Sequence, residues 1–143
     1  MCVKQISVIL DNVPGVFLSV SECLARENIN IRAISVADTS GTSTVRFVTD
    51  NPEKTISVLR SNKYRVLEND VIAVEIPDHP GALRAVLKPL KELNINVLYF
   101  YTYLGRGESG QPIVIIGVDR TGEALEALKR NWVHTFGNEI YAL

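Results

Sequence analysis

Two stretches of this chain repeat one another, and any fold proposed for it has to accommodate the repetition. The loop Val13-Pro14-Gly15-Val16 is matched by His79-Pro80-Gly81-Ala82, an offset of 66 residues (80 − 14). At that offset Pro14, Gly15, Val20, Leu24, Asn28, Ile29 and Asn30 each meet an identical residue without a gap. Farther on the offset drifts to 69, pairing Leu59 with Leu128 and Asn62 with Asn131. A longer loop in the second copy accounts for the drift, because loops absorb insertions. The sequence therefore predicts two domains, residues 1–68 and 69–143.

Each copy has the same succession of patterns. Lys4–Leu10 alternates at period two and is rich in β-branched residues, as a strand should be, and Val71–Ile76 is its counterpart. After Pro-Gly the period becomes helical. Val16, Val20 and Leu24 share one face, matched by Leu83, Val86, Leu87, Leu90 and Leu93. Asn28 and Asn94 fall where that helix should stop in a left-handed residue. Strands are expected over 31–37 and 97–104, then third strands at Val45–Val48 and Ile113–Ile116, then helices over 52–61 and 123–130, each followed by a short fourth strand. Pro89 should kink the second copy's first helix. The C-terminal Glu139–Leu143 aligns with 70–74 and could form a further strand. The expected fold is α+β: two ferredoxin-like βαββαβ units in tandem, their antiparallel sheets carrying the helices on one face.

Composition narrows the partners. Fifteen basic and sixteen acidic residues leave a net charge of −1, which is no electrostatic footprint for nucleic acid. Two cysteines, Cys2 and Cys23, cannot make a secreted-type disulfide framework. No apolar run approaches the ~20 residues of a membrane helix, and the first residues lack a signal-peptide pattern. A cytoplasmic protein without membrane or nucleic-acid partners is the expectation, and no cofactor or metal is implied.

Candidate chemistry gathers at the loop before each first helix. Asn12-Val13-Pro14-Gly15-Val16 and Asp78-His79-Pro80-Gly81-Ala82 each open a helix, where free N–H groups and the positive dipole end suit a carboxylate. Asn12 or Asp78 could instead cap the helix, and Pro-Gly could simply make the turn. Asn30-Ile31 and Asn96-Val97 open the second strands. An Asn there is a poor strand former whose amide could meet a ligand's ammonium or carboxylate, or could pin the turn. In a βαββαβ unit these asparagines are expected beside the same loops.

These residues resemble the ACT domain, an amino-acid-sensing module of the ferredoxin-like class, and the resemblance covers essentially the whole chain as two copies. Its carriers are the Asn12–Gly15 and Asp78–Gly81 loops together with Asn-Ile-Asn-Ile and Asn-Ile-Asn-Val entering the second strands. The resemblance implies regulatory, non-catalytic binding of an amino acid between two modules. The loop would hold the carboxylate, Asn30 or Asn96 the ammonium, and Val16, Phe17, Ala82 and Leu83 the side chain. It also implies a homodimer and a partner enzyme that responds. Members that place a His four residues before the Pro differ from this chain, which has Leu10 and Ile76 there.

Other readings fare less well. A protein-interaction module without ligand is one. An acylphosphatase-like loop would need an arginine where Ser19 and Ala85 stand. An RNA-binding sheet would use aromatics such as Tyr99, Tyr101 and Tyr103, yet the first copy has Ala33, Ser35 and Ala37 there, so a covered or interfacial stripe, or one packed in the core where a bulge swaps the faces, explains them better. His79 reads as a solvated loop residue, Cys23 as core, and 105–110 as a hairpin tip.

Overall fold

The computed structural model describes residues 2–143. Contacts divide the chain into Lys4–Asn69 and Asp70–Leu143, with Cys2 and Val3 joining the latter. The elements are β1 (Val3–Asp11), α1 (Val16–Arg26), β2 (Ile31–Thr39), β3 (Thr42–Thr49), α2 (Pro52–Ser61), β4 (Arg65–Glu75), α3 (Ala82–Glu92), β5 (Val97–Thr102), β6 (Ile113–Val118), α4 (Thr121–Arg130) and β7 (Thr135–Phe136), then a 3-10 turn at Asn138–Tyr141.

In the first unit β3 lies between β1 and β2 and runs antiparallel to both. Ile6, Val8 and Leu10 alternate onto one face with Val45 and Phe47, and there they meet Val20, Cys23 and Leu24 of α1 and Leu59 of α2. Two helices thus cover one face of an antiparallel sheet. The β2–β3 hairpin closes through Ser40 (φ 51°) and Gly41 (φ 82°), the paired left-handed residues a tight two-residue turn requires.

The second unit repeats the plan, with β4 between β6 and β7 and β5 on the outer edge. Its core joins Ile72, Val74, Val114, Ile116 and Val118 to Val86 and Leu90 of α3 and Leu125 and Leu128 of α4. Asn28 and Asn94 both take φ 56°, ending α1 and α3 as their type favours. Helix α3 continues through Pro89, which is buried.

Several expectations need correction. The fourth strand of the first copy and the first strand of the second are one eleven-residue strand, β4, because no Gly or Pro between Arg65 and Glu75 breaks it. Leu83 and Leu93, expected in the core, are 36% and 41% exposed; Ala82, Val86, Pro89 and Leu90 form the buried stripe instead. Their i, i+4, i+7, i+8 spacing sets the helix face. The C-terminus is not a strand: Glu139–Tyr141 lies in the 3-10 turn, and Ile140 is buried. Tyr101 and Tyr103 are 8% and 6% exposed and Tyr99 is half-buried, in keeping with the expected covered stripe. The Tyr103 hydroxyl donates to the Ile140 carbonyl at 3.0 Å. Among the described residues no helix is long and apolar enough to cross a membrane.

Candidate functional site

The entry to α1 is made by Gly15, held at φ 87° and ψ −7° in the N-cap position. Gly81 does the same for α3 at φ 85° and ψ −4°. Only glycine adopts this conformation without strain, and a glycine cap has no side chain to satisfy the first helical N–H groups. Neither Asn12 nor Asp78 caps its helix through its side chain. The Asn12 side chain donates to the Asp38 carboxylate at 3.1 Å, and its backbone N–H goes to the Gly41 carbonyl at 2.8 Å. The backbone N–H of Asp78 is given to the Gln111 side-chain oxygen at 3.3 Å.

Accounting for the helix-start donors leaves a gap of the same shape in both units. Val16 N–H returns to Val13 and Ser19 N–H to Gly15, at 3.2 and 3.0 Å. Ala82 N–H likewise returns to His79 and Ala85 N–H to Gly81, both at 3.3 Å. Among the described residues the N–H groups of Gly15, Phe17 and Leu18 take no partner, and neither do those of Gly81, Leu83 and Arg84. Such donors at a helix N-terminus attract an anion, worth about 0.3–1 kcal/mol when exposed and up to ~2 kcal/mol in a partly buried site.

The second loop borders a cleft of about 490 Å³ whose lining includes Asp78, His79, Gly81, Ala82, Leu83, Arg84 and Pro112. His79 is exposed, and its Nδ1 lies 3.0 Å from the Pro80 carbonyl, so Nδ1 is the protonated nitrogen when that bond forms. Asp78 gives this cleft a carboxylate beside the helix donors, the pairing a zwitterion needs. Val13, Pro14 and Pro80 are exposed at the loop tips, whereas Val16 packs on the first core and Ala82 is buried. Phe17 and Leu83 are the more exposed apolar neighbours of the two loops, and Ala82, though buried, lines the second cleft.

Asn30 and Asn96 are not beside these loops. In the first unit β1 and β2 are both antiparallel to β3 and so parallel to one another, which puts the end of β1 and the start of β2 at opposite ends of the sheet. Asp11 pairs with Thr42 while Ile31 pairs with Thr49, roughly 25 Å along the strand at ~3.4 Å per residue. The same holds in the second unit, where Ile76 bonds Pro112 and Asn96 bonds Asp119. Ile31 and Val97 pack against their cores.

Asn30 and Asn96 are held through their backbone by two aspartates. The Asp50 carboxylate accepts the N–H of Asn30 at 3.0 Å, and Asp119 does so for Asn96 at 3.1 Å. The signal was present, since Asp50 and Asp119 are related by the same offset of 69 (119 − 50) as the second helices that follow them. The side-chain amides of Asn30 and Asn96 stay exposed and make no hydrogen bond among the described residues.

Fold and loops together define a tandem of ferredoxin-like modules, each with open anion donors at its first helix. The family model described as an ACT domain pair matches residues 1–139, and the chain belongs to that family. It is similar to protein BT0572 from Bacteroides thetaiotaomicron, with 30% identity, coverage of 100% of this chain and 98% of that one, and a TM-score of 0.91. The regulatory subunit of aspartate kinase from Thermus thermophilus, in ligand-free form, shares the fold at a TM-score of 0.64, with 15% identity over 90% of this chain and 92% of that one. The aspartate kinase regulatory subunit from Thermus flavus gives 0.61 with 17% identity over 90% and 92%. No curated protein matches the chain in sequence.

Proposed function

We propose that this chain is a regulatory, non-catalytic protein that binds an amino acid at the Pro-Gly loop of a module and acts by changing how modules associate. The observation that carries the reading is the set of unpartnered N–H groups at Gly15, Phe17 and Leu18, repeated at Gly81, Leu83 and Arg84. They receive the ligand carboxylate. Asn12, Val13, Pro14, Gly15 and Val16, with Asp78, His79, Pro80, Gly81 and Ala82, shape the two receiving loops, in domains 1–68 and 69–143.

A module's own Asn30 or Asn96 lies too far away to reach its own loop. The asparagine amide that meets the ammonium must therefore come from another module, and a second copy of the chain supplies one in a homodimer. A ligand shared between copies stabilises the shared arrangement by its differential affinity, and this is how binding becomes a signal. A partner enzyme is the natural listener, a reading supported by the regulatory subunits of aspartate kinase that share the fold.

The test is a thermal-shift screen of the full chain against the twenty amino acids and their keto acids, with Pro14→Asp and Pro80→Asp as controls. Ligand at ~100 times its Kd stabilises the fold by about 2.7 kcal/mol. An aspartate beside the helix start competes for the same donors while favouring the helix. Each variant should therefore keep or raise the unliganded midpoint and lose the ligand shift of its own module. Silence across the whole panel, or hits untouched in the double variant, overturns the reading.

A further inference from the structure

We propose that the first module selects an amino acid with an aliphatic or aromatic side chain, a specificity set by the groove between α1 and β2 and resting on the loop reading above. The groove holds about 340 Å³ and is lined by Phe17 and Leu18 of α1, Ile34 and Val36 of β2, and Val45 and Phe47 of β3 on its floor. Ser21 is its one polar lining residue, and no charged group lines it. Such a volume lies within the range of small-molecule sites.

Phe17 and Leu18 link this groove to the carboxylate site. Their backbone N–H groups are unpartnered donors at the start of α1, while their side chains form the groove wall. A carboxylate on those donors leaves the Cα substituent of the same molecule at the groove mouth, one residue's reach away. Leu18 is 62% and Val36 48% exposed, large apolar groups standing in water around a concavity of their own kind. An aliphatic or aromatic substituent removes both them and itself from water. A carboxylate or ammonium in the same place would lose hydration with only the Ser21 hydroxyl in return.

The second module does not share this selectivity. At the repeat offset of 66, Leu18 corresponds to Arg84 and Val36 to Thr102. Leu83, Arg84 and Leu87, the counterparts of Phe17, Leu18 and Ser21, stand on a stretch of α3 bordered by Lys88 and Lys91. The duplication kept the loops and let the side-chain sites diverge, so the two modules sense different ligands.

Titration calorimetry of the full chain with leucine, phenylalanine, alanine, aspartate and lysine decides the matter, repeated on Leu18→Arg, which installs the second module's residue at an exposed helical position. Leucine or phenylalanine should bind at least about tenfold more tightly than alanine, the discrimination an apolar pocket gives, and aspartate and lysine more weakly than alanine. In Leu18→Arg the leucine affinity should fall at least about tenfold while the unliganded midpoint holds. Alanine or aspartate binding as tightly as leucine overturns the selectivity and leaves the carboxylate site standing. Leucine binding intact in Leu18→Arg does the same. No binding by any amino acid overturns both. If sedimentation shows Leu18→Arg dissolving a dimer while leucine gives no heat, a second copy of the chain covers the groove and the selectivity falls.

Discussion

Asn30 and Asp50 exchange two hydrogen bonds, the Asn30 N–H donating to the Asp50 carboxylate at 3.0 Å and the Asp50 N–H donating to the Asn30 carbonyl at 3.0 Å. The latch fixes the entry to β2 against the end of β3, and Asn96 with Asp119 repeats it at 3.1 and 3.2 Å. Asp50→Ala removes an ionised acceptor from a backbone donor, a bond worth about 1.5–3 kcal/mol at full strength. We expect a loss of about 1–2 kcal/mol in urea denaturation, because Asp50 is only half-buried. Asp50→Asn, which keeps an acceptor oxygen, should recover part of it. Equal losses in the two variants would mean the carboxylate acts elsewhere.

The latch also marks how far the sequence could be read. The duplication, the helix-ending Asn28 and Asn94 and the glycine entries at Gly15 and Gly81 follow from residue type and spacing alone, because each is a local conformational requirement. The placing of Asn30 depends instead on strand direction. The parallel relation of β1 and β2 is set by β3 lying between them, a long-range fact that residue type and spacing do not carry. The burial of the tyrosine stripe is long-range for a similar reason: the Tyr103 hydroxyl bonds the Ile140 carbonyl, 37 residues away. Long-range pairing also brought in Asp50 and Asp119, whose repeat offset was visible but whose partner was not.

Gly15 and Gly81 invite a backbone test. A Cβ at either would meet nothing within 4 Å, so substitution costs only the left-handed backbone. Gly15→Ala and Gly81→Ala should each lose about 1 kcal/mol of stability. Gly15→Asn should lose less, since Asn tolerates this region. Thermal denaturation of the three variants reads the difference. An alanine as harmless as asparagine would place the role of glycine in something other than its positive φ.

Gly117 is small for a steric reason. A Cβ there would clash with the Tyr99 ring, which stacks on Tyr101 with centroids 6.4 Å apart. Gly117→Ala must push Tyr99 aside, an overpacking cost of about 1–3 kcal/mol. Joining it to Tyr99→Ala should remove most of that penalty, so the double variant should be more stable than the sum of the two single losses predicts. Strict additivity would show that the ring is not the obstacle.

The Tyr103 hydroxyl closes the C-terminal turn onto the sheet through its 3.0 Å bond to the Ile140 carbonyl. Tyr103→Phe keeps the ring and leaves that carbonyl without its donor, which costs about 1–3 kcal/mol where water cannot replace it. Hydrogen exchange should locate the effect, with faster exchange at Ile140 and Ala142 and little change in β1 or α1. Uniform acceleration across the chain would mean that the bond supports global rather than local stability.

Acid should loosen the same turn. Glu139 is held below the usual glutamate value of 4.5, chiefly because the Gly137 backbone N–H, and then its own, donate to its carboxylate. A carboxyl whose pKa is lower folded than unfolded stabilises the fold fully above its unfolded value, and that contribution disappears as pH falls through the folded one. The turn should therefore be pH-independent from 7 down to about 5 and weaken below that. Glu139 is exposed, so the change should be a small local one, visible as faster exchange at Ile140 and Ala142 rather than as unfolding. Glu139→Gln has no proton to take up, so its turn should be looser at neutral pH and insensitive to acid. A variant that still loosens on acidification, in step with the parent, would assign the effect to another group.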